Sequence, residues 1–481
     1  MELMLLNDLT KFLSKNEVKY VHWKSNSRIK DALSGIDDFD LFVDCQKTNI
    51  IKNGLNDLGF VRAKSRSDLW QPNILHFIGL DNNSGKLCHL HLHYQLWLGW
   101  DYDKCHQFPT TNYLFETSIL FDNRVFLSSI EAEYVLLVTR LYLKFSFVPF
   151  LFVGIKTKLE CIFKGYKITE KDKSELLFLK NKLVPLKLEK TLNKLYPNLK
   201  ISDFYYYANY LESRTSIVKF WKISSKVSSM LTKRHDSIKM IYNGIIRVFP
   251  YRVIFLLNFL GFKVRLNKKT LQSEGVIIAF TGCDGSGKSS NIKQLDKTLS
   301  KHFEVKTIHL GKPQKTLLGW FLWNFSRIAG VFRLKKISLI FSKIGIAIDR
   351  NYSRNKVNKM KKKGYIILLD RIYLNNLDSM DSYSLKQFIV LSIFKNLEKS
   401  IYRYNKIKAD LVIVLNADLN TVKIRRPNDS HEYLSKRIES IKELIKRGIE
   451  YNHSIIDSNQ NPKSVSQSVL HKVWDLIKLR Q

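Results

Sequence analysis

The stretch GVIIAFTGCDGSGKSSNIKQLDKTL, residues 275–299, constrains the fold of this chain more than any other. A short continuous apolar run passes into a glycine-rich loop and then into a segment of helical periodicity. The spacing Gly282-x-x-x-x-Gly287-Lys288-Ser289 therefore sits between a strand and a helix, the context in which such a loop wraps a phosphate. Gly282, Gly285 and Gly287 let the backbone curl so that successive N–H groups point inward, and the helix that follows adds its positive N-terminal end.

The chemistry of such a loop assigns roles by residue type. Lys288 is expected to bridge the β- and γ-phosphates, and Ser289 to ligate Mg²⁺ through its hydroxyl. Gly282, Cys283, Asp284, Gly285, Ser286, Gly287, Lys288, Ser289 and Ser290 form the expected nucleotide-binding set, with ATP and Mg²⁺ as cofactors. Cys283 lies near the electropositive helix start, where a thiol pKa is expected to fall.

Further apolar runs, VKTIHLG, GYIILLD and ADLVIVLN, alternate with helical stretches from Glu274 onward. Continuous runs of this kind mark strands buried on both faces of a parallel sheet, so a doubly wound α/β domain is expected over 271–481. GYIILLDRIYL ends its strand at Asp370 and Arg371. Asp370 is placed to reach the Mg²⁺ and Arg371 to grip a second phosphate. In NADLNTVKIRRPNDSHEYLSKRIESI, Arg425, Arg426 and Arg437 lie where a lid could fold over the triphosphate and offset charge developing in transfer.

Bulk properties fit a chain that folds around this loop. A length of 481 residues exceeds one core, and 45% hydrophobic with 12% aromatic content is that of a packed globular protein. The five cysteines, Cys45, Cys88, Cys105, Cys161 and Cys283, are scattered without CxxC spacing, which supports neither a disulfide framework nor a thiolate zinc site. A reducing cytoplasm is the expected location. Against 43 Asp and Glu stand 79 Lys and Arg, a net charge of +36 that attracts polyanions. No zinc-finger spacing or aromatic RNA-binding signature accompanies it, so phosphorylated substrates and anionic lipid are expected partners rather than nucleic acid.

Two further domains are expected upstream. Residues 1–130 open on an amphipathic helix, MELMLLNDLTKFLSKNE, and continue with short β-branched or aromatic runs in an α+β pattern. Residues 131–270 form a basic helical section, whose first helix begins at SSIEAEYVLLVTRLYLKF. Its last apolar stretch, KMIYNGIIRVFPYRVIFLLNFLGFKVRLNKK, is broken by Arg247, Pro250 and Arg252 short of the roughly 18 to 20 apolar residues a membrane span needs. A buried helical hairpin is the expectation there, with an interfacial amphipathic helix as the alternative.

The N-terminal section carries a second constellation. In SGIDDFDLFVD, Asp38 and Asp40 share one strand face opposite Phe39, Leu41 and Val43, so that two carboxylates can hold one metal-bound triphosphate. Trp23-Lys24-Ser25-Asn26 lies upstream. The strand CHLHLHYQL presents His89, His91 and His93 on one face, an arrangement that suits a transition metal as well as plain hydrogen bonding.

These motifs carry family resemblances. GCDGSGKSS, LLDR and the segment from RRP to SKR resemble the thymidylate kinase branch of the nucleoside monophosphate kinases. That resemblance implies a P-loop kinase, with Asp284 beside the acceptor sugar and Arg371 holding the acceptor's phosphate. Thr281 stands where that family usually has Glu, and Ile372 where an aromatic or His follows Asp-Arg. IHLGKP, AIDRNYSRNKVNKMKKKGYIILLDR, the MDS at Met380 to Ser382 and KIRRPND resemble the thymidylate-kinase-like proteins found with bacterial surface-polysaccharide assembly. A sugar, glycan or sugar-nucleotide acceptor is the corresponding expectation. Dimming that to dTMP kinase proper, to a bifunctional nucleotidyltransferase and kinase, or to an ATP-switch scaffold gives the alternatives. SGIDDFDLFVD with its upstream Ser25 resembles the nucleotidyltransferase fold, with Lys24-Ser25 where Gly-Ser is usual and a histidine strand where that fold adds a third carboxylate.

Overall fold

Strand β-character and burial coincide where the apolar runs are densest. The computed structural model describes residues 2–65, 68, 71, 73–109, 111–214, 216–262, 268–309, 315–370, 407–449 and 451–481. The chain divides into two compact units, Met1–Asn267 and Lys268–Gln481.

In the N-terminal unit the strands are β1 (Tyr20–His22), β2 (Phe39–Val43), β3 (Val61–Lys64), β4 (Ile74–Asp81), β5 (Lys86–His93), β6 (Trp97–Trp100), β7 (Asp103–Gln107), β8 (Ile119–Phe121), β9 (Val125–Leu127) and β10 (Thr232–Lys233). Within this unit one sheet runs β3-β4-β5-β2-β1-β9-β8, and a second runs β10-β7-β6. Strand alternation sorts the side chains of β2. Phe39, Leu41 and Val43 join a core with Leu6, Leu9 and Leu13 of the helix Met4–Lys15, while Phe42 joins another. That second core holds Val21, Trp23 and Phe42 together with Val135, Leu141 and Phe220 from the helices Ile130–Lys144 and Ile217–Ser229. Residues 1–130 and the helices after them thus share one core, and the unit shows no break at residue 130.

The apolar stretch expected as a hairpin forms instead a single helix, Ser237–Phe259, that continues through Pro250. A proline removes one helical hydrogen bond, yet this helix is fixed by neighbours on one side. Arg247 donates from Nη1 to Tyr102 O at 2.8 Å and to Asp103 Oδ1 at 3.0 Å. At Gly244 a Cβ would come within 2.4 Å of the Phe152 ring, so only glycine admits that contact. The opposite flank is open, with Ile238, Tyr242, Ile245, Phe249, Phe255 and Phe259 all exposed. Among the described residues this is the one helix long and apolar enough to cross a membrane, by length and composition.

The C-terminal unit contains β11 (Thr270–Leu271), β12 (Val276–Gly282), β13 (Val305–His309), β14 (Ile366–Asp370), β15 (Leu411–Asn416) and β16 (His453–Asp457). Five of them form a sheet in the order β13-β14-β12-β15-β16, and every pairing in it is parallel. All seven residues of β12 are buried, as are the first four of β14 and five of β15, which accounts for their unbroken apolar runs. Strand β16 was not foreseen from sequence. Its HSIID lies at the sheet edge with only Ile456 buried, so no apolar run announces it.

Candidate active site

The central strand β12 delivers the glycine loop to the carboxyl edge of the sheet, where ligands of open α/β sheets bind. The helix Lys288–Leu299 begins directly after it. Gly282 has φ +150° and Gly287 φ +92°, values in the region that side-chain-bearing residues avoid. At Gly282 there is also no room, since a Cβ would lie 2.7 Å from Leu415 O. Lys288 is 7% exposed, and its Nζ donates to Gly282 O at 2.9 Å and Cys283 O at 2.8 Å. The lysine thus lies back along the loop it serves. Ser289 and Ser290 are exposed on the first turn of the helix.

Asp370 closes β14 beside the loop strand, in register with Phe280. Its Oδ1 is buried and finds no hydrogen-bond partner among the described residues, and the same holds for Ser286 Oγ and Thr281 Oγ1. Buried polar atoms left in this condition cost free energy unless a ligand satisfies them. Together with the glycine cradle and the buried ammonium of Lys288, they fit a magnesium nucleotide. His309 Nε2 stands 3.8 Å from Asp370 Oδ2, a neighbour the sequence reading did not single out.

The three arginines expected in a lid, Arg425, Arg426 and Arg437, separate into two settings. Arg425 ends the helix Leu419–Arg425 and donates to Gly285 O at 3.3 Å and Ser458 O at 2.9 Å. Arg426 packs its stem over Gly285, where a Cβ would meet its Cγ at 3.1 Å. Arg437, on the helix His431–Arg447, stacks on Tyr433 with the guanidinium 5.4 Å from the ring centre. Tyr433 in turn donates to Asp284 Oδ2 at 3.0 Å. Tyr433 was missed in the sequence because only the fold shows that a residue 149 positions away reaches the loop. Arg371, Ile372 and the MDS at Met380 to Ser382 lie outside the described residues.

One expectation is overturned. Cys283 is 4% exposed, and burial pushes its thiol up despite the nearby Lys288 ammonium, so the lowered pKa expected at a helix start does not occur.

The N-terminal constellation assembles as well. Strands β2 and β5 pair in parallel with Asp40 in register with His91. Asp38 Oδ1 lies 2.8 Å from His89 Nδ1, and Asp40 Oδ1 lies 3.0 Å from His91 Nδ1. Burial alone would raise the Asp38 carboxyl, but the hydrogen bond from His89 and the charges of His91 and His89 outweigh it and hold it at about 2. Asp40 is buried, which also opposes ionisation, yet Lys24 and His91 hold it well below the usual carboxylate range. Lys24 Nζ is 3.0 Å from Asp40 Oδ1. Ser25 follows in a left-handed conformation, φ +57°, which aims its hydroxyl at Glu175 at 3.3 Å.

Asp38 and Asp40 line a cavity of about 360 Å³ whose other walls carry Lys24, Arg28, Lys104 and Arg140. Burial, aided by the neighbouring Lys24 charge, pushes Lys104 down to about 8. Lys104 and Arg140 were not singled out from sequence, since isolated cations in a chain of net charge +36 give no signal.

No family model matches the chain. A probable thymidylate kinase of Caldivirga maquilingensis is 28% identical over 210 residues, which are 42% of this chain and 95% of that protein. The thymidylate kinase of Caldicellulosiruptor saccharolyticus is 26% identical over 231 residues, covering 43% of this chain and all of the relative. Among solved structures, deoxyadenosine kinase from M. mycoides with bound dATP is 17% identical, with a TM-score of 0.29 over 41% of this chain and 99% of that one. The chain is an ATP-dependent kinase that uses ATP and Mg²⁺, and over 42% of its length it is similar to thymidylate kinases.

Proposed function

We propose that the C-terminal unit transfers the γ-phosphate of ATP to a nucleotide acceptor of the nucleoside monophosphate class. The observation that carries this is Asp284, held by Tyr433 at the mouth of the loop, at the position the thymidylate kinase resemblance gives to contact with the acceptor sugar. Lys288 turns from its loop carbonyls to the β- and γ-phosphates, and Arg425 and Arg426 bring positive charge over Gly285. Ser289 and Asp370 would hold Mg²⁺, which offsets phosphate charge when bound. Transfer of this kind rests on positioning and electrostatics, with little covalent chemistry asked of the protein. Product mass after incubation with Mg²⁺-ATP and a panel of nucleoside monophosphates tests it, and absence of any Lys288-dependent diphosphate product rejects it.

A second reading places the acceptor on a sugar, glycan or sugar nucleotide of envelope polysaccharide synthesis, with the protein peripheral to an anionic membrane. The exposed apolar flank of the helix Ser237–Phe259, beside Arg252 and Lys239, favours this setting. Flotation with anionic vesicles separates the two, because this reading requires the protein to rise with the lipid. In either case the cavity of the N-terminal unit, with carboxylates on one wall and cations on the other, suits a phosphorylated ligand, as a nucleotidyltransferase-like domain would require. Asp38 and Asp40 would be the metal-holding pair there. Asp38→Asn with Asp40→Asn leaves kinase turnover unchanged if that domain acts separately.

A further inference from the structure

A cluster of imidazoles lies behind the wall of this cavity, and it needs neither the glycine loop nor the acceptor to explain it. Strands β4 and β5 pair antiparallel, which sets His76 directly opposite His91 and two pairs along from His89, on the same face of the sheet. The ring centres are 4.7 Å apart for His76 and His91, 5.3 Å for His76 and His89, and 4.2 Å for His89 and His91. One nitrogen from each of the three lies within 4.8 Å of the other two. His76 and His89 are buried and His91 is half-buried.

The carboxylates around the cluster set the ring tautomers. Asp38 accepts from His89 Nδ1, so the proton of that ring sits on the outer nitrogen and the lone pair on Nε2 turns inward. That Nε2 stands 3.2 Å from His76 Nδ1. Asp40 engages His91 through Nδ1, which leaves the Nε2 of His91 on the side of Asp38, at 3.6 Å. Carboxylates that fix the outer nitrogens of converging histidines are the usual second layer of a metal centre, where they orient the rings and raise ligand basicity. A neighbouring set, Asp40, His91 and His93, also converges, but it offers two imidazoles rather than three.

We infer that His76, His89 and His91 bind one divalent transition-metal ion of the zinc, cobalt or nickel class, with Asp38 orienting His89 and balancing charge. Three imidazole donors suit such ions and disfavour magnesium and calcium, which prefer oxygen. The site is separate in chemistry from the magnesium nucleotide of the glycine loop, and it stands whichever acceptor the kinase uses.

The test uses the full chain, freed of metal with chelator and titrated with cobalt(II) while visible absorption is followed, with zinc competition afterwards. The site predicts saturation at about one equivalent with a tetrahedral-type spectrum that zinc abolishes. His76→Ala and His91→Ala should each weaken binding by about tenfold or more, whereas His93→Ala should leave it within about threefold. Circular dichroism and ATP binding at the glycine loop report whether each variant is folded. Wild-type protein that takes up no cobalt or zinc saturably overturns the inference. So does binding that survives His76→Ala and is lost in His93→Ala, which would assign the ion to the other set.

Discussion

Asp370 and Phe280 are directly paired across parallel strands, the one closing β14 and the other two residues short of Gly282 on β12. That register sets a half-buried carboxylate, with its Oδ1 buried, beside the start of the phosphate loop, although the two residues are 90 positions apart in sequence. It is the relationship that turns a glycine-rich turn into half of a nucleotide site.

Lys288→Ala removes the one buried ammonium of the loop's own helix start. Phosphoryl transfer is expected to fall on the order of a hundredfold or more, as it does when a preorganised charge on a developing transition state is deleted. ADP release with Mg²⁺-ATP measures it, and the unit should remain folded because the Lys288 hydrogen bonds to Gly282 O and Cys283 O lie within the loop itself.

Gly282→Ala strains the loop twice, through its φ of +150° and through contact with Leu415 O. A cost of about 1–3 kcal/mol is expected for holding such a conformation. Calorimetry should show weakened ATP binding together with a lower melting temperature for the transition of this unit.

Tyr433→Phe cuts the hydrogen bond that holds Asp284, worth about 1.5–3 kcal/mol because the acceptor is charged. If Asp284 faces the acceptor, KM for the nucleotide acceptor should rise about tenfold or more while ATP affinity stays near that of the parent. Steady-state kinetics with each substrate varied in turn distinguishes the two.

Glu133 predicts a pH dependence of stability in the N-terminal unit. Burial, with the nearby charge of Glu175, pushes its carboxyl up to about 7 against the hydrogen bonds from Asn26. The folded chain then binds more protons than the unfolded one between the ordinary value of 4.5 and about 7. This contribution to stability is fully present below that ordinary value and is lost as pH rises through the folded value. Relative to the parent, Glu133→Gln should therefore gain up to about 3 kcal/mol between mildly acidic and mildly alkaline pH. Denaturant melts of both proteins across that range measure the difference.

How much of this was legible in the sequence depended on whether the signal was local. The run GVIIAF before a complete phosphate loop fixed both strand β12 and its helix, because burial on both faces and the glycine spacing are each written in adjacent residues. The edge strand β16 left no such run. Arg247 and Pro250 read as interruptions of the apolar stretch, yet the helix Ser237–Phe259 continues because Arg247 finds Asp103, 144 residues away. Cys283 looked activated from its place near the helix start, but burial governs it. Asp38, Asp40 and the alternating histidines were visible as patterns. His76 was not, since only the pairing of β4 with β5 sets it opposite His91.

The central claim is that the glycine loop supports phosphoryl transfer to a nucleotide acceptor. Its most direct measurement is product mass with Mg²⁺-ATP and dTMP, run beside other nucleoside monophosphates and with Lys288→Ala as the blank. A nucleoside diphosphate that forms with the parent protein and not with the variant is the predicted result. ATP binding with no diphosphate from any nucleotide acceptor would contradict it and move the acceptor to sugars and glycans.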